Sequence, residues 1–261
     1  MKTRTILSLV LLLGCFSIGW AADHVKGNGK LTTRKITVED YNEIKLDDVI
    51  EFQYEQSDGP ANIEITIDKN LHQYVDINTK DRVLRIGFKG AKVDHYTKFV
   101  VKSNSKWLSK ALIAGNANFV VNSPISGDET LVKASGSSTV VFKGAVTVGK
   151  MDMNASGQAK ITVSELETDH VECDIDGSGT ITVNKGNAKT GKYSILNKGF
   201  IHAFGLAVPD LTCKVTGTGS AEVHPTDNLK VNVIGKGQVR YKGPTAVQQK
   251  IIGKGTVEEV Q

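Results

Sequence analysis

A short motif centred on glycine returns eight times in this 261-residue chain, and the repeat constrains the fold more than any other feature. The motif is Ile113-Ala114-Gly115-Asn116-Ala117 in its first copy and Ile251-Ile252-Gly253-Lys254-Gly255 in its last. The central residues are Gly115, Gly136, Gly157, Gly177, Asn197, Gly217, Gly235 and Gly253, spaced by 21, 21, 20, 20, 20, 18 and 18 residues. The places two and four before each centre and four and six after it are mostly apolar. Around Gly177 these are Cys173, Ile175, Ile181 and Val183, with polar Glu172, Asp174, Asp176, Thr180 and Thr182 between them. A period of two means strands with one buried face. Each copy therefore reads as strand, bend, strand, turn.

The centres are glycine except for Asn197, and Asn is the side chain that best tolerates positive φ. A left-handed backbone at each bend is the expectation. Two places on stand Ala117, Ser138, Ala159, Gly179, Gly199, Gly219, Gly237 and Gly255, all small, as close stacking at a corner requires. A coil of 18–21 residues has no room for a helix between strands. The fold class is all-β: a parallel β-helix, or β-solenoid, with rungs ~4.8 Å apart. In the last coil, Gln249 and Glu259 take inward places, as a terminal cap does. The region from Thr32 to about Lys106 is a less regular, β-rich N-terminal part. Ile44, Leu46, Phe52 and Tyr54 fit a first coil with Asp48 at its centre. Ser57–Pro60 reads as a turn, and Asp68–Val75 as a short helix or a loop.

Residues 1–21 read as a secretory signal peptide: Lys2 and Arg4, an apolar run from Ile6, and Gly19-Trp20-Ala21 before the cut. Leu12-Leu13-Gly14-Cys15 also fits a lipobox, which would make Cys15 a lipid anchor. Removing the leader lowers the net charge from +4 to +2, a weak reason to expect nucleic acid, and no other apolar run reaches ~18 residues, so no further membrane span is expected. The expected location is outside the cytoplasm: periplasm, outer-membrane surface or extracellular.

The ordered segments Tyr41-Asn42-Glu43-Ile44-Lys45-Leu46, Val83-Leu84-Arg85-Ile86 and Leu108 to Val121, followed by the glycine rungs, resemble the bacterial family described as "putative auto-transporter adhesin, head GIN domain". The resemblance runs from about Thr33 to Lys242. It implies a pectin-lyase-like, right-handed β-helix and a role in adhesion, and it supplies no catalytic residues. The expected division is signal peptide 1–21, head domain 33–242, and last rung with C-terminal cap 243–261.

Chemistry is sparse. Glu172, Asp174 and Asp176 share an outer strand face with Asp152 beside them, a set that could hold Ca²⁺ or act as it does in polysaccharide-cleaving β-helices. Lys192 and neutral neighbours flank them, which favours a solvated face. His24, His72, His95, His170, His202 and His224 show no metal-pair spacing. His202 should stand beside Thr182 and Glu222, as a surface ion pair or as a metal or base site. No G-x-S-x-G elbow exists, and Gly27-Asn28-Gly29 lacks the strand-to-helix context of a phosphate loop. Cys173 and Cys213 should lie two rungs, ~9.6 Å, apart with Tyr193 between them, too far for a disulfide. Among aromatics, Trp107 and Tyr96 lie outside the regular rungs and are the expected exposed platforms, whereas Tyr193 and Tyr241 point inward. The expectation is a non-enzymatic exported module of adhesion or envelope interaction. No catalytic, cofactor or metal residues are assigned, and the partner is a surface glycan or an envelope protein. The alternative is a polysaccharide lyase or hydrolase on the same scaffold.

Overall fold

The computed structural model describes residues 23–47, 49–243 and 245–260. The leader, Cys15 and Asp48 lie outside them. Strands dominate, with two short 3₁₀ turns, and nineteen strands join in one continuous hydrogen-bonded array. Successive copies of the repeat pair in parallel and in register: Met153↔Cys173, Cys173↔Tyr193, Tyr193↔Cys213 and Cys213↔Val231. This is a β-solenoid. Among the described residues no helix is long and apolar enough to cross a membrane.

The bends work as the asparagine exception implies. All eight centres have positive φ, Asn197 at 82°. That geometry turns the carbonyl of the centre toward the next coil. It accepts the N–H of the residue after the next centre: Lys198 from Gly177 and Thr218 from Asn197, both at 2.8 Å. The ladder thus continues through the bend, and the carbonyls of the centres from Gly115 to Gly235 are paired there. The small residues two places on have a separate cause. A Cβ at Gly199 would lie 2.3 Å from Cγ2 of Ile175 in the preceding coil, and one at Gly219 would lie 2.5 Å from Cγ2 of Ile195. Where Ala159 occupies the place, its counterpart in the preceding coil is Ala134. Gly179 also faces an alanine, Ala155, so the exchange of bulk holds at the isoleucine contacts and not in every coil.

One part of the coil differs from the expectation. The stretch between the second strand and the next copy is not a mere turn. It forms a third pairing limb, Ala145–Val148 against Glu165–Thr168, with a register shift at the corner after Phe142. Each coil therefore has three limbs. Leu166, Ala188 and Val208 fill the core from the third. Its turn-like, mixed sequence carries too few alternating residues to stand out from a loop.

The first coil pairs as its pattern implies: Ile44↔Ala111, Leu46↔Ile113, Phe52↔Phe119 and Tyr54↔Val121. The chain then leaves the solenoid. It turns at 57–60, runs back through Asn62–Asp68, forms the 3₁₀ turn Lys69–Tyr74 and returns at Lys110. Val83–Phe88 and Val100–Ser105 stack on the outer side of the first coil, and antiparallel Leu31–Thr37 and Asn62–Asp68 complete a lid over that end. Strand edges that would otherwise be open are covered there. Tyr54 is tied into this seam by a 2.9 Å hydrogen bond between its hydroxyl and that of Ser105, and burial pushes its pKa up to about 12. At the other end Gln249 and Glu259 are exposed on the last coil.

Asp68 holds the lid together. It is fully buried and accepts hydrogen bonds from the backbone N–H of Gly29 (2.7 Å), the N–H of Thr97 (2.7 Å) and the Thr97 hydroxyl (3.0 Å). Burial pushes its carboxyl up, but these donors outweigh it and hold the group below the usual carboxylate range.

Two predictions follow from these contacts. Asn197→Gly should leave the melting temperature unchanged or raise it. Asn197→Val should cost about 1 kcal/mol or more, because a β-branched residue is strained at positive φ. Equal melting temperatures would contradict the left-handed bend. For Asp68, the depressed folded pKa means its contribution is present above the unfolded value of about 4 and is lost as pH falls below it. In urea titrations the wild type should therefore lose more stability between pH 6 and pH 3 than Asp68→Asn, which should itself be weaker at pH 6 by about 1–3 kcal/mol.

Candidate functional site

The third limbs stack into a groove that crosses the coils. Gly127, Val148, Thr168 and Ala188 stand in one register column, and Gly149, Asp169, Lys189 and Pro209 lie beside them. Small residues in these columns leave a depression of about 730 Å³. Its polar rim pairs within itself: Asn187 donates to Glu167 at 3.0 Å, and Lys189 meets Asp169 at 2.6 Å. A second hollow of about 350 Å³ shares Gly127 and continues the groove to Trp107, with Asp128 and Glu129 on its wall. From Trp107 to Thr226 the groove crosses six coil steps, roughly 29 Å at ~4.8 Å each. Trp107 is 43% exposed, the platform its position outside the rungs implies. Tyr96 is not exposed in that way. It is half-buried against Phe88 and Phe99, with ring centroids at 6.0 and 5.9 Å.

The acidic face lies on a different limb. Asp152, Glu172 and Lys192 share one register column, and Asn154, Asp174 and Ser194 the next. Lys150 holds Asp152 at 2.7 Å, and Lys192 holds Glu172. The Lys192 ammonium keeps Glu172 below the usual carboxylate range, and burial, then the Glu172 charge, push Asp174 above it. Such a split is what an acid–base pair needs. These side chains stand on an open strand face, however, and neither lines the groove. Among the described residues no three His, Cys, Asp or Glu side chains gather as a metal site would. His202 meets Glu222 at 2.8 Å, and Arg240 takes the other Glu222 oxygen at 2.9 Å, which makes the pair part of a surface network.

Cys173 and Cys213 are free and buried on either side of Tyr193. Burial raises both thiols, Cys213 to about 12, so neither is a nucleophile at neutral pH.

Residues 40–244 match the family model described as "Putative auto-transporter adhesin, head GIN domain". The chain belongs to this family. Two solved structures titled putative adhesins share the head GIN fold at high identity. One, from Parabacteroides distasonis, is 69% identical, with 91% of this chain and 100% of that one covered and a TM-score of 0.91. The other, from Parabacteroides merdae, is 61% identical, with 92% and 100% covered and a TM-score of 0.91. A third, from Parabacteroides distasonis, is titled a putative lipid binding protein; it is 29% identical, with 92% and 100% covered and a TM-score of 0.86. No curated protein matches.

Outward aromatics on the rungs themselves escaped the sequence reading. Phe200 and Phe204 alternate with inward Ile201 and Ala203, so both face out beside His202. The signal lies in the period of two, which sets Phe at outward places where the neighbouring coils carry Thr and Ser.

The acidic face makes a clear prediction. Adding Ca²⁺ or chelator should not move the melting temperature of the wild type, because lysines already neutralise Asp152 and Glu172. The triple variant Glu172→Gln, Asp174→Asn, Asp176→Asn should stay within about 0.5 kcal/mol per site. A Ca²⁺-dependent rise abolished by the triple variant would mean a cation site.

Proposed function

We propose that this chain is an exported, non-enzymatic adhesion or envelope-interaction module that meets its partner with the sides of the solenoid. The observation that carries this is membership of the head GIN family together with 69% identity to a structure titled a putative adhesin. The chemistry agrees: the buried thiols are inert, and the outer acids are tied to lysines or stand on an open face. A rigid stack of in-register coils offers long, flat, repetitive surfaces, which suit a polymeric or multivalent partner. A cell-surface glycan is that partner in our reading, ahead of an envelope protein. The coil is right-handed in this reading, since parallel strands joined by crossovers take that hand in about 98% of cases. Residues 1–21 direct export and are cut near Ala21, with lipidation at Cys15 as the other outcome of processing. The head domain spans 33–242, and 243–261 close the stack. No residue is assigned a catalytic, cofactor or metal role.

Purified protein should bind fixed bacterial cells or immobilised surface glycans saturably, and heat-unfolded protein should not. Incubated with polygalacturonate or other acidic polysaccharides, it should release no unsaturated or reducing ends. Steady product release that disappears in Asp174→Asn would instead favour the lyase or hydrolase reading. Absence of saturable binding to either surface would refute the adhesion module.

A further inference from the structure

The geometry points to a saccharide platform at Phe200, His202 and Phe204 that takes an anionic pyranose glycan. This rests on the adhesion reading and names the ligand class and the surface. The three residues occupy successive outward places on one strand. Phe200 is 43% exposed, and its ring is parallel to the His202 imidazole, 2° between planes and 6.2 Å between centroids. The equivalent places on the preceding coil hold Thr180 and Thr182, and on the following coil Ser220 and Glu222. Other described phenylalanines, at positions 52, 88, 99, 119 and 142, lie in the core or pack against it. A phenyl ring left in water forgoes the gain of burial, so an exposed Phe200 with a half-buried Phe204 on the same strand face is informative in a way a threonine ladder is not. Leu196, 45% exposed, extends the apolar strip across the bend of the same coil.

A row of two phenyl rings and an imidazole, edged by hydroxyls and a carboxylate, matches a pyranose ring, whose C–H face is apolar and whose rim is polar. The charge follows from the neighbours. Arg240 and Lys242 sit 5.7 and 5.8 Å from the Phe204 ring centroid. Glu222 is occupied on both oxygens, by His202 and by Arg240. Among the described residues Lys242 has no carboxylate within ion-pair distance. The wider field has the same sign. Residues 185–261 carry eleven Lys and Arg against five Asp and Glu, whereas residues 121–184 carry four against nine. Positive potential around a ring platform selects a sugar bearing carboxylate or sulfate.

The test is calorimetric titration of the folded protein. The probes are a hexameric oligogalacturonate, its neutral methyl ester and a sulfated heparin-type hexasaccharide. The wild type should bind at least one charged probe, more weakly as salt rises. It should bind the neutral ester about tenfold less tightly, a difference of ~1.4 kcal/mol. Preference between the carboxylate and sulfate probes distinguishes the two sources of charge. Phe200→Ala and Phe204→Ala should each weaken binding about tenfold, and Lys242→Gln should flatten the salt dependence. Because Phe200 is on the surface, its variant should keep the wild-type melting temperature, and an unchanged far-ultraviolet spectrum guards against misfolding in Phe204→Ala. Trp107→Ala, in the groove, should bind as wild type does. Equal affinity for the neutral ester, unaltered binding in both Phe variants, or loss of binding in Trp107→Ala would each overturn the proposal. Protein that still adheres to cells but binds no charged oligosaccharide would overturn it too, leaving the adhesion reading in place.

Discussion

Everything in this molecule depends on the parallel ladder passing unbroken around each bend. A strand pair alone would be open at its corners, and a corner with unpaired buried carbonyls would split the stack into separate sheets. The left-handed residue at the centre of each bend prevents this by aiming its carbonyl along the stacking direction, where the next coil donates to it at 2.7–2.8 Å. Once that bond repeats, register is fixed. The inward columns follow from it: Met153, Cys173, Tyr193 and Cys213 fall in line because the bends do. Side-chain packing then adjusts around a backbone already in place, as the exchange of bulk between Ile175 and Gly199 shows.

The same ladder explains where surface variety can arise. Inward places are shared by the whole stack, so a change there must suit neighbours on both sides. Outward places answer only to solvent and to adjacent coils. The acidic column around Glu172, the aromatic row at Phe200 and the ion-paired Glu222 therefore occupy places free to differ from coil to coil. The groove obeys a third rule. It exists because Gly127, Gly149, Ala188 and Ala207 keep the third limb thin, not because any loop folds over it.

How much of this was legible in the sequence depended on whether a local signal existed. The centres, the first coil at Ile44 and Phe52, the neighbours of Glu172 and the separation of Cys173 from Cys213 followed from period and spacing alone. The third limb did not, because Ala145–Val148 and its counterparts mix Gly, Glu and Thr in lengths that change where the spacing drops from 20 to 18. The lid was visible only as alternating isoleucines. Its defining contact, Asp68 to Gly29 and Thr97, joins residues far apart in the chain, and no local pattern reports such a contact. The outward place of Phe200 is legible, since the inward parity of Ile201 fixes it.

The two ends of the stack are unlike, and this has a mechanical meaning. The first coil is buried under antiparallel strands, while the last offers its edge to solvent, with Gln249 and Glu259 exposed in the columns that Val231 and Tyr241 occupy one coil earlier. Bonds between coils run along the stacking direction. Force along the strands loads a whole ladder in shear and divides the load over many bonds. Tension on the final coil peels its bonds one after another. A tether that must survive drag is thus strongest when the load runs along its strands, and its final coil is the part designed by geometry to let go first.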